Sequence, residues 1–251
     1  MAEQAREIVA VVVGGASGIG AAVAARQRSD GATVLVWDVK EPCDIACDVA
    51  DPATIESAAT STVDRVGLPT VVTVCAGIGH SGLLLDVDPD EWDRVMAVNV
   101  RGPWLVMRAL ARRMIDSGVA GSIVATSSVS AHLVDRNMGA YCASKAALNM
   151  TVRVAAAEWA SSGVRVNAVG PGVTDTPMLG GAPVDRGWLA KVAERTAMGS
   201  IGSPDAVAEA IVALHGLPWV TGQVLDADGG LGLHSPIDSY AEVIRTQGPH
   251  R

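Results

Sequence analysis

In the stretch N-M-G-A-Y-C-A-S-K-A-A-L-N-M, residues 137 to 150, Tyr141 and Lys145 stand four positions apart. The chain holds only two tyrosines and three lysines in 251 residues. Shuffling them would reproduce this spacing in roughly 2% of arrangements. Residues four apart on a helix share a face, so a phenol and an ammonium would meet there. A phenol with an ordinary pKa of about 10 is a poor base near neutrality. A neighbouring ammonium favours the phenolate, so Lys145 is expected to draw the Tyr141 pKa down toward the working range. Such a pair can pass a proton to or from a substrate oxygen. The plain alternative is a solvated pair on a helix surface.

A second constellation lies near the start. The β-branched run Ile8 to Val13 leads into G-G-A-S-G-I-G, residues 14 to 20, and then into the helix-like A-A-V-A-A-R-Q-R-S-D. In a loop of this kind Gly14 permits the tight turn, Gly18 lets backbone approach phosphates, and Gly20 lets helix and strand pack closely. With Ser17 and Ile19 they form a cradle whose amides and helix dipole favour a dinucleotide pyrophosphate. Asp38 ends the next β-rich run, T-V-L-V-W-D, about 20 residues on, where a carboxylate accepts ribose hydroxyls and repels a 2′-phosphate. No arginine sits in the loop or directly after Asp38. The expected cofactor is therefore NAD rather than NADP, with Lys40 the residue best placed to oppose that preference.

The elements that must position these groups alternate along the chain. Strand-like runs occupy 8–13, 33–37, 71–75, 122–126, 164–169 and 223–227, and helical spacing fills 52–66, 89–117, 141–162 and 204–214. This predicts an α/β fold, a doubly wound Rossmann-type parallel sheet with helices on both faces, formed by 1–251 as a single domain. Only nine residues separate Asp38 from Asp48, too few for an ordinary helical crossover, so the helix there is expected to be reduced to a loop.

Composition removes other classes. The formal net charge of -8 opposes nucleic acid and anionic membranes as partners. The four cysteines, at 43, 47, 75 and 142, lack C-x-x-C spacing, and the five histidines are scattered. No metal site is expected, and reduced thiols in a cytoplasmic protein are. Ile8 to Ala25 runs 18 residues without a charge, but glycines interrupt it and the acidic segment before it is wrong for a signal peptide.

Taken together, these residues resemble the short-chain dehydrogenase/reductase family over nearly the whole chain. V-G-G-A-S-G-I-G, 13–20, is similar to its glycine loop, with Val13 where the family has threonine. Asp48 and Val49 resemble the acid-valine pair that borders adenine. V-C-A-G, 74–77, with Ala76 and Gly77, stands where the family has Asn-Asn-Ala-Gly. N-V at 99–100 resembles the active-site asparagine, A-T-S-S at 125–128 ends in a serine 13 positions before the tyrosine, and Y-C-A-S-K is the Tyr-x-x-x-Lys signature. V-N-A-V-G-P-G-V-T-D-T-P-M, 166–178, resembles the segment that closes over nicotinamide, bringing in Pro171, Gly172, Thr174 and Thr176. V-T-G-Q-V-L-D-A-D-G-G, 220–230, resembles the last strand.

The resemblance implies roles. Tyr141 exchanges the proton, Ser128 donates to the substrate oxygen, Lys145 also grips the nicotinamide ribose, and Asn99 holds a water that links Lys145 to solvent. Thr176 either contacts the carboxamide or caps the next helix. Residues 178–198 would form the substrate lid, with Leu179, Trp188 and Leu189 as apolar walls, and 232–251 a C-terminal tail. Ala131, His132 and Leu133 add little charge, which suggests a secondary alcohol or ketone on an apolar, alicyclic or steroid-like skeleton. The crossover and S-S-V-S-A-H-L are similar to some bacterial hydroxysteroid dehydrogenase/carbonyl reductase members. The alternatives are a 3-oxoacyl-carrier-protein reductase and a non-catalytic dinucleotide sensor on the same fold. Family members often pair through the tyrosine-bearing helix and the long helix before it, so a homo-oligomer, dimer or tetramer, is expected.

Overall fold

Valine-rich runs form one parallel sheet because the central ones are covered on both faces, where β-branched side chains pack between helix layers. The computed structural model describes residues 8–180, 185–233 and 245. Its strands are β1 (Val9–Val13), β2 (Thr33–Asp38), β3 (Ile45–Ala46), β4 (Val71–Val74), β5 (Gly121–Thr126), β6 (Val164–Pro171) and β7 (Val224–Ala227). They lie in the order β3-β2-β1-β4-β5-β6-β7, every pair parallel. Around them stand α1 (Gly18–Ser29), α2 (Pro52–Val66), α3 (Pro89–Met96), α4 (Gly102–Asp116), α5 (Gly139–Trp159), α6 (Pro177–Gly180), α7 (Arg186–Arg195) and α8 (Pro204–His215).

Strand alternation splits the interior in two. Val12, Val36 and Val124 pack with Val23 of α1 and Ile211 of α8 on one face. Val11, Val13, Trp37 and Ile123 pack with Ile55 of α2, Leu110 of α4 and Leu148 of α5 on the other. The buried Trp37 indole donates to Thr62 Oγ1 at 3.0 Å, so no polar atom of that ring is stranded. Helices α2, α3 and α8 each begin with proline in the first turn, after an Asp51, Asp88 or Ser203 side chain that accepts a main-chain amide. Each such cap contributes about 1 kcal/mol.

Two features differ from the pattern read along the chain, a short edge strand and a π turn, and one agrees. A seventh strand exists: β3 pairs only Trp37 with Ile45 and Asp38 with Ala46, too short to show a period of its own. The Asp38–Asp48 crossing has no helix, as its length predicts. The helical segment 89–117 is broken by a π turn, Ala97–Arg101. Gly102 and Pro103 follow it, and a Cβ at 102 would lie 2.7 Å from the Val49 carbonyl oxygen, so α4 restarts against the turn that follows β3. The charge-free run from Ile8 divides into β1, the glycine loop and α1. Among the described residues no helix is long and apolar enough to cross a membrane.

Candidate active site

The strand order reverses between β1 and β4, the point at which open parallel sheets bind ligands beyond the strand ends. Gly14 sits there with φ 77°, and a Cβ on it would lie 2.5 Å from the Ala76 nitrogen. The first βα turn and the Ala76–Gly77 turn therefore touch backbone to backbone. Gly20 is the closer contact: its Cβ would lie 2.1 Å from the Gly14 carbonyl oxygen, so α1 can start against β1 only without a side chain.

These loops fit a dinucleotide. Ser17 is the N-cap of α1, yet its hydroxyl forms no capping bond, and the first turn carries no acidic side chain. The orphan amides and dipole of the helix therefore face the loop uncompensated, as an anion site requires. Asp38 ties the loop to β2: Oδ2 accepts the Ala16 amide and Oδ1 the Lys40 amide, each at 3.0 Å. A carboxylate has about four lone-pair sites, which leaves capacity for two ribose hydroxyls. Asp48 is exposed and accepts the Ala50 amide at 2.8 Å, while Val49 is buried beside Gly102. Pro171 and Thr174 are buried at and just after the end of β6, and the Thr174 hydroxyl donates to the Gly172 carbonyl at 3.0 Å. The Thr176 side chain lies 3.4 Å from where a Gly18 Cβ would be.

Across the cleft, α5 brings Tyr141 and Lys145 toward Ser128 and Asn99. Ser128 follows β5 and is buried, its Oγ accepting the Ser130 amide at 3.1 Å. Lys145 is 4% exposed, its Nζ donating to the Thr126 carbonyl at 2.8 Å and standing 5.7 Å from the centre of the Tyr141 ring. Asn99 is fully buried; its Oδ1 accepts the Ile78 amide at 2.8 Å. Its Nδ2 donates to the Ile78 carbonyl at 2.9 Å and to Ser144 Oγ at 3.1 Å. Both amide donors of Asn99 are thus spent, and a water on this side chain can only be accepted at Oδ1. A Cβ at Gly77 would lie 3.3 Å from Asn99 Oδ1 and 3.5 Å from Lys145 Nζ, which brings these two polar groups to one turn.

The electrostatics correct one expectation. The Tyr141 phenol is raised from its ordinary value, not lowered: burial disfavours the phenolate, and the Ser128 hydroxyl offsets only part of that. Burial also pulls the Lys145 ammonium down to about 8. Desolvation opposes both charges in the protein alone, and at 5.7 Å from the ring centre Lys145 does not overcome it. Cys75 is a half-buried free thiol whose pKa desolvation pushes up to about 11.

Two residues that hold these side chains in place escaped the sequence reading. Ser144 donates to the Tyr141 carbonyl at 2.7 Å while accepting from Asn99, joining the tyrosine turn to the π turn. Thr126 supplies the carbonyl that holds Lys145, and its hydroxyl donates to Cys75 Sγ at 3.1 Å. Ser144 lies one helical turn from Tyr141, a signal that was available; the Thr126 carbonyl carries none. Of the lid segment, Leu179 and Leu189 are half-buried and Trp188 is 38% exposed. Residues 181–184, and the tail beyond 233 apart from 245, lie outside the described residues. Among the described residues no cluster of metal-ligating side chains occurs.

A family model described as "Enoyl-(Acyl carrier protein) reductase" matches residues 14–232. The chain is 33% identical to (3R)-3-hydroxyacyl-CoA dehydrogenase of Canis lupus familiaris over 90% of this chain and 96% of that protein. The chain belongs to the short-chain dehydrogenase/reductase family. Within that family it is 35% identical to cis-4-hydroxycyclohexanecarboxylate dehydrogenase of Sinomonas cyclohexanicum, over 92% and 98% of the two chains. Among solved structures of the family it resembles 3-ketoacyl-(acyl-carrier-protein) reductase from Brucella melitensis complexed with NADH. The TM-score is 0.82 at 29% identity, covering 89% of this chain and 98% of that one. As a short-chain dehydrogenase/reductase, the chain is a nicotinamide-dependent enzyme acting on hydroxyl groups.

Proposed function

We propose that this enzyme transfers a hydride between NAD(H) and a secondary alcohol or ketone on an apolar, alicyclic skeleton, with Tyr141 as the acid/base. The observation that carries the reading is the meeting of Ser128, Tyr141 and Lys145 beside the Gly14–Gly20 loop. The nicotinamide, when bound, supplies or takes up the hydride. Tyr141 passes the proton of the substrate oxygen, and Ser128 donates to that oxygen as charge develops on it. Lys145, held by the Thr126 carbonyl, compensates the phenolate and is the proton store behind it. Asn99 and Ser144 fix the position of the tyrosine turn.

NAD is favoured over NADP by Asp38, whose carboxylate would meet a 2′-phosphate with like charge. The substrate class is supported by the apolar side chains Leu179, Trp188 and Leu189 in the segment expected to cover the substrate and by the alicyclic alcohol in the name of the Sinomonas relative. A second reading, oxidation or reduction of 3-oxygenated acyl thioesters, draws on the canine relative and on the Brucella structure. Cyclohexanol, cis-4-hydroxycyclohexanecarboxylate and a 3-hydroxyacyl thioester are to be offered with NAD and with NADP, following nicotinamide absorbance. Fast turnover of the cyclic alcohols with NAD, abolished by Tyr141→Phe, is expected. Turnover of the thioester alone selects the second reading, and full activity of Tyr141→Phe returns the protein to a sensor.

The outer face of α3, α4 and α5 carries an open groove of about 1280 Å³, lined by Trp104, Met150, Val154 and Trp159 among others. It lies away from the Tyr141 hydroxyl, and we assign it to a second copy of this chain, the helix-to-helix pairing expected of the family. Sedimentation showing a monomer at micromolar concentration would refute that. The four unpaired cysteines support a reducing, cytoplasmic setting.

A further inference from the structure

The chain that carries Ser128 continues through one tight turn, Val129–Ala131, to His132. There the imidazole meets a carboxylate from two strands away: His132 Nε2 lies 3.2 Å from Asp226 Oδ2. Asp226 belongs to β7, and β6 intervenes between β7 and β5. At the position paired with Asp226, β6 presents Gly170. A Cβ there would lie 2.4 Å from Asp226 Oδ1 and 3.5 Å from the Ser128 carbonyl carbon. The carboxylate therefore passes over bare backbone, across a whole strand, to reach the turn next to Ser128. Any side chain at 170 would close that passage.

We propose that Asp226 and His132 form a latch that positions the Ser128 hydroxyl, so that ionisation of Asp226 controls turnover. The inference rests on the reading of Ser128 and Tyr141 as the groups that serve the substrate oxygen. With side-chain exposures of 45% and 37%, the pair adds little to global stability. Its effect is local, since a displaced donor in an active site costs far more in rate than in folding. The charged groups facing Asp226 are His132, from the turn after β5, and Asp228, from the loop after β7; β6 contributes only glycine. Asp228 is itself committed, accepting the Gly230 and Gly232 amides at 2.8 Å each. Burial holds the Asp226 carboxyl above its ordinary range; His132 opposes this and Asp228 adds to it. Protonation of Asp226 removes the charge that holds the turn, and turnover then falls in acid. His132 and Asp226 act through Ser128 and are positioning residues.

The test uses cyclohexanol and NAD with the parent, Asp226→Asn, His132→Gln, His132→Lys and the Asp226→Asn/His132→Gln double variant. Turnover is followed from acid to alkaline pH, together with NAD affinity and thermal midpoint. Asp226→Asn is expected to lower kcat about tenfold at neutral pH with unchanged NAD affinity. That gap closes in acid, where the parent's own Asp226 is protonated. His132→Gln gives the same loss, the double variant adds none, and His132→Lys, which places an ammonium donor within reach of the carboxylate, restores turnover. A gap constant with pH, additive losses or parental kcat in Asp226→Asn would overturn the latch. If Asp226→Asn does not fold, the contrast between His132→Gln and His132→Lys decides. Tyr141→Phe runs beside them: if it retains turnover, the underlying reading fails. If it is dead while every latch variant behaves as parent, only the latch fails.

Discussion

Lys145 is 4% exposed, and its ammonium is held down from 10.5 to about 8 by burial. That depression is a folding cost, and its size follows from linkage. At 1.36 kcal/mol per pH unit it amounts to about 3 kcal/mol. Below about pH 8 the lysine is protonated in both folded and unfolded chains, so the cost is fully present. Between about pH 8 and 10.5 the unfolded chain keeps the proton that the folded one has lost, so stability rises with pH. Above that window both are neutral and the cost is gone. Lys145→Met keeps the length of the side chain and removes the charge, leaving the Thr126 carbonyl without its donor, a loss of about 1 kcal/mol at every pH. The variant is therefore expected to be more stable than the parent by about 2 kcal/mol near neutrality, and less stable by about 1 kcal/mol above the window. Turnover is lost throughout. Urea unfolding of both proteins at a series of pH values gives the difference curve directly. If the two stability curves run parallel from neutral to alkaline pH, Lys145 is not a desolvated ammonium and the reasoning is wrong.

Other outcomes follow from the same geometry. Asp38→Ser is expected to weaken NAD binding on the order of tenfold and narrow the preference over NADP, read from the ratio of kcat/KM for the two cofactors. Ser144→Ala strands an Asn99 amide donor and frees the Tyr141 carbonyl. A stability loss of about 1–3 kcal/mol by denaturant titration, with a fall in kcat, is expected. His215, at the end of α8, has its ring nitrogens 3.0 Å from Thr73 Oγ1 and Ser122 Oγ, and its pKa is lowered to about 3 by burial and then by Arg165. Stability is therefore lost as pH falls below about 6.5, by about 2 kcal/mol at pH 5, and His215→Gln should flatten that acid slope in thermal melts.

The sheet and its helices were legible because their signals are local. Most strands are short β-branched runs, and the Asp-Pro and Ser-Pro starts of α2, α3 and α8 announce themselves in adjacent residues. The glycine loop was legible for the same reason: Gly14 and Gly20 answer to a turn and a contact set within a few positions. Tyr141 and Lys145 share a face because a helix repeats every 3.6 residues. The strand β3 was not legible, since two residues carry no period and only the edge of β2 makes them a strand.

From the order of residues alone came the α/β class, the glycine loop with Asp38 behind it, and the Tyr141–Lys145 spacing; Ser128 came only through the family resemblance. The tertiary structure alone decided that Asn99 spends its amide on Ile78 and Ser144, that the Thr126 carbonyl holds the ammonium, and that Asp226 crosses Gly170 to His132. It also reversed the direction of the Tyr141 pKa. Hydrogen bonds between distant segments and the loss of water around a charge depend on everything packed nearby, and no short window of sequence contains that information.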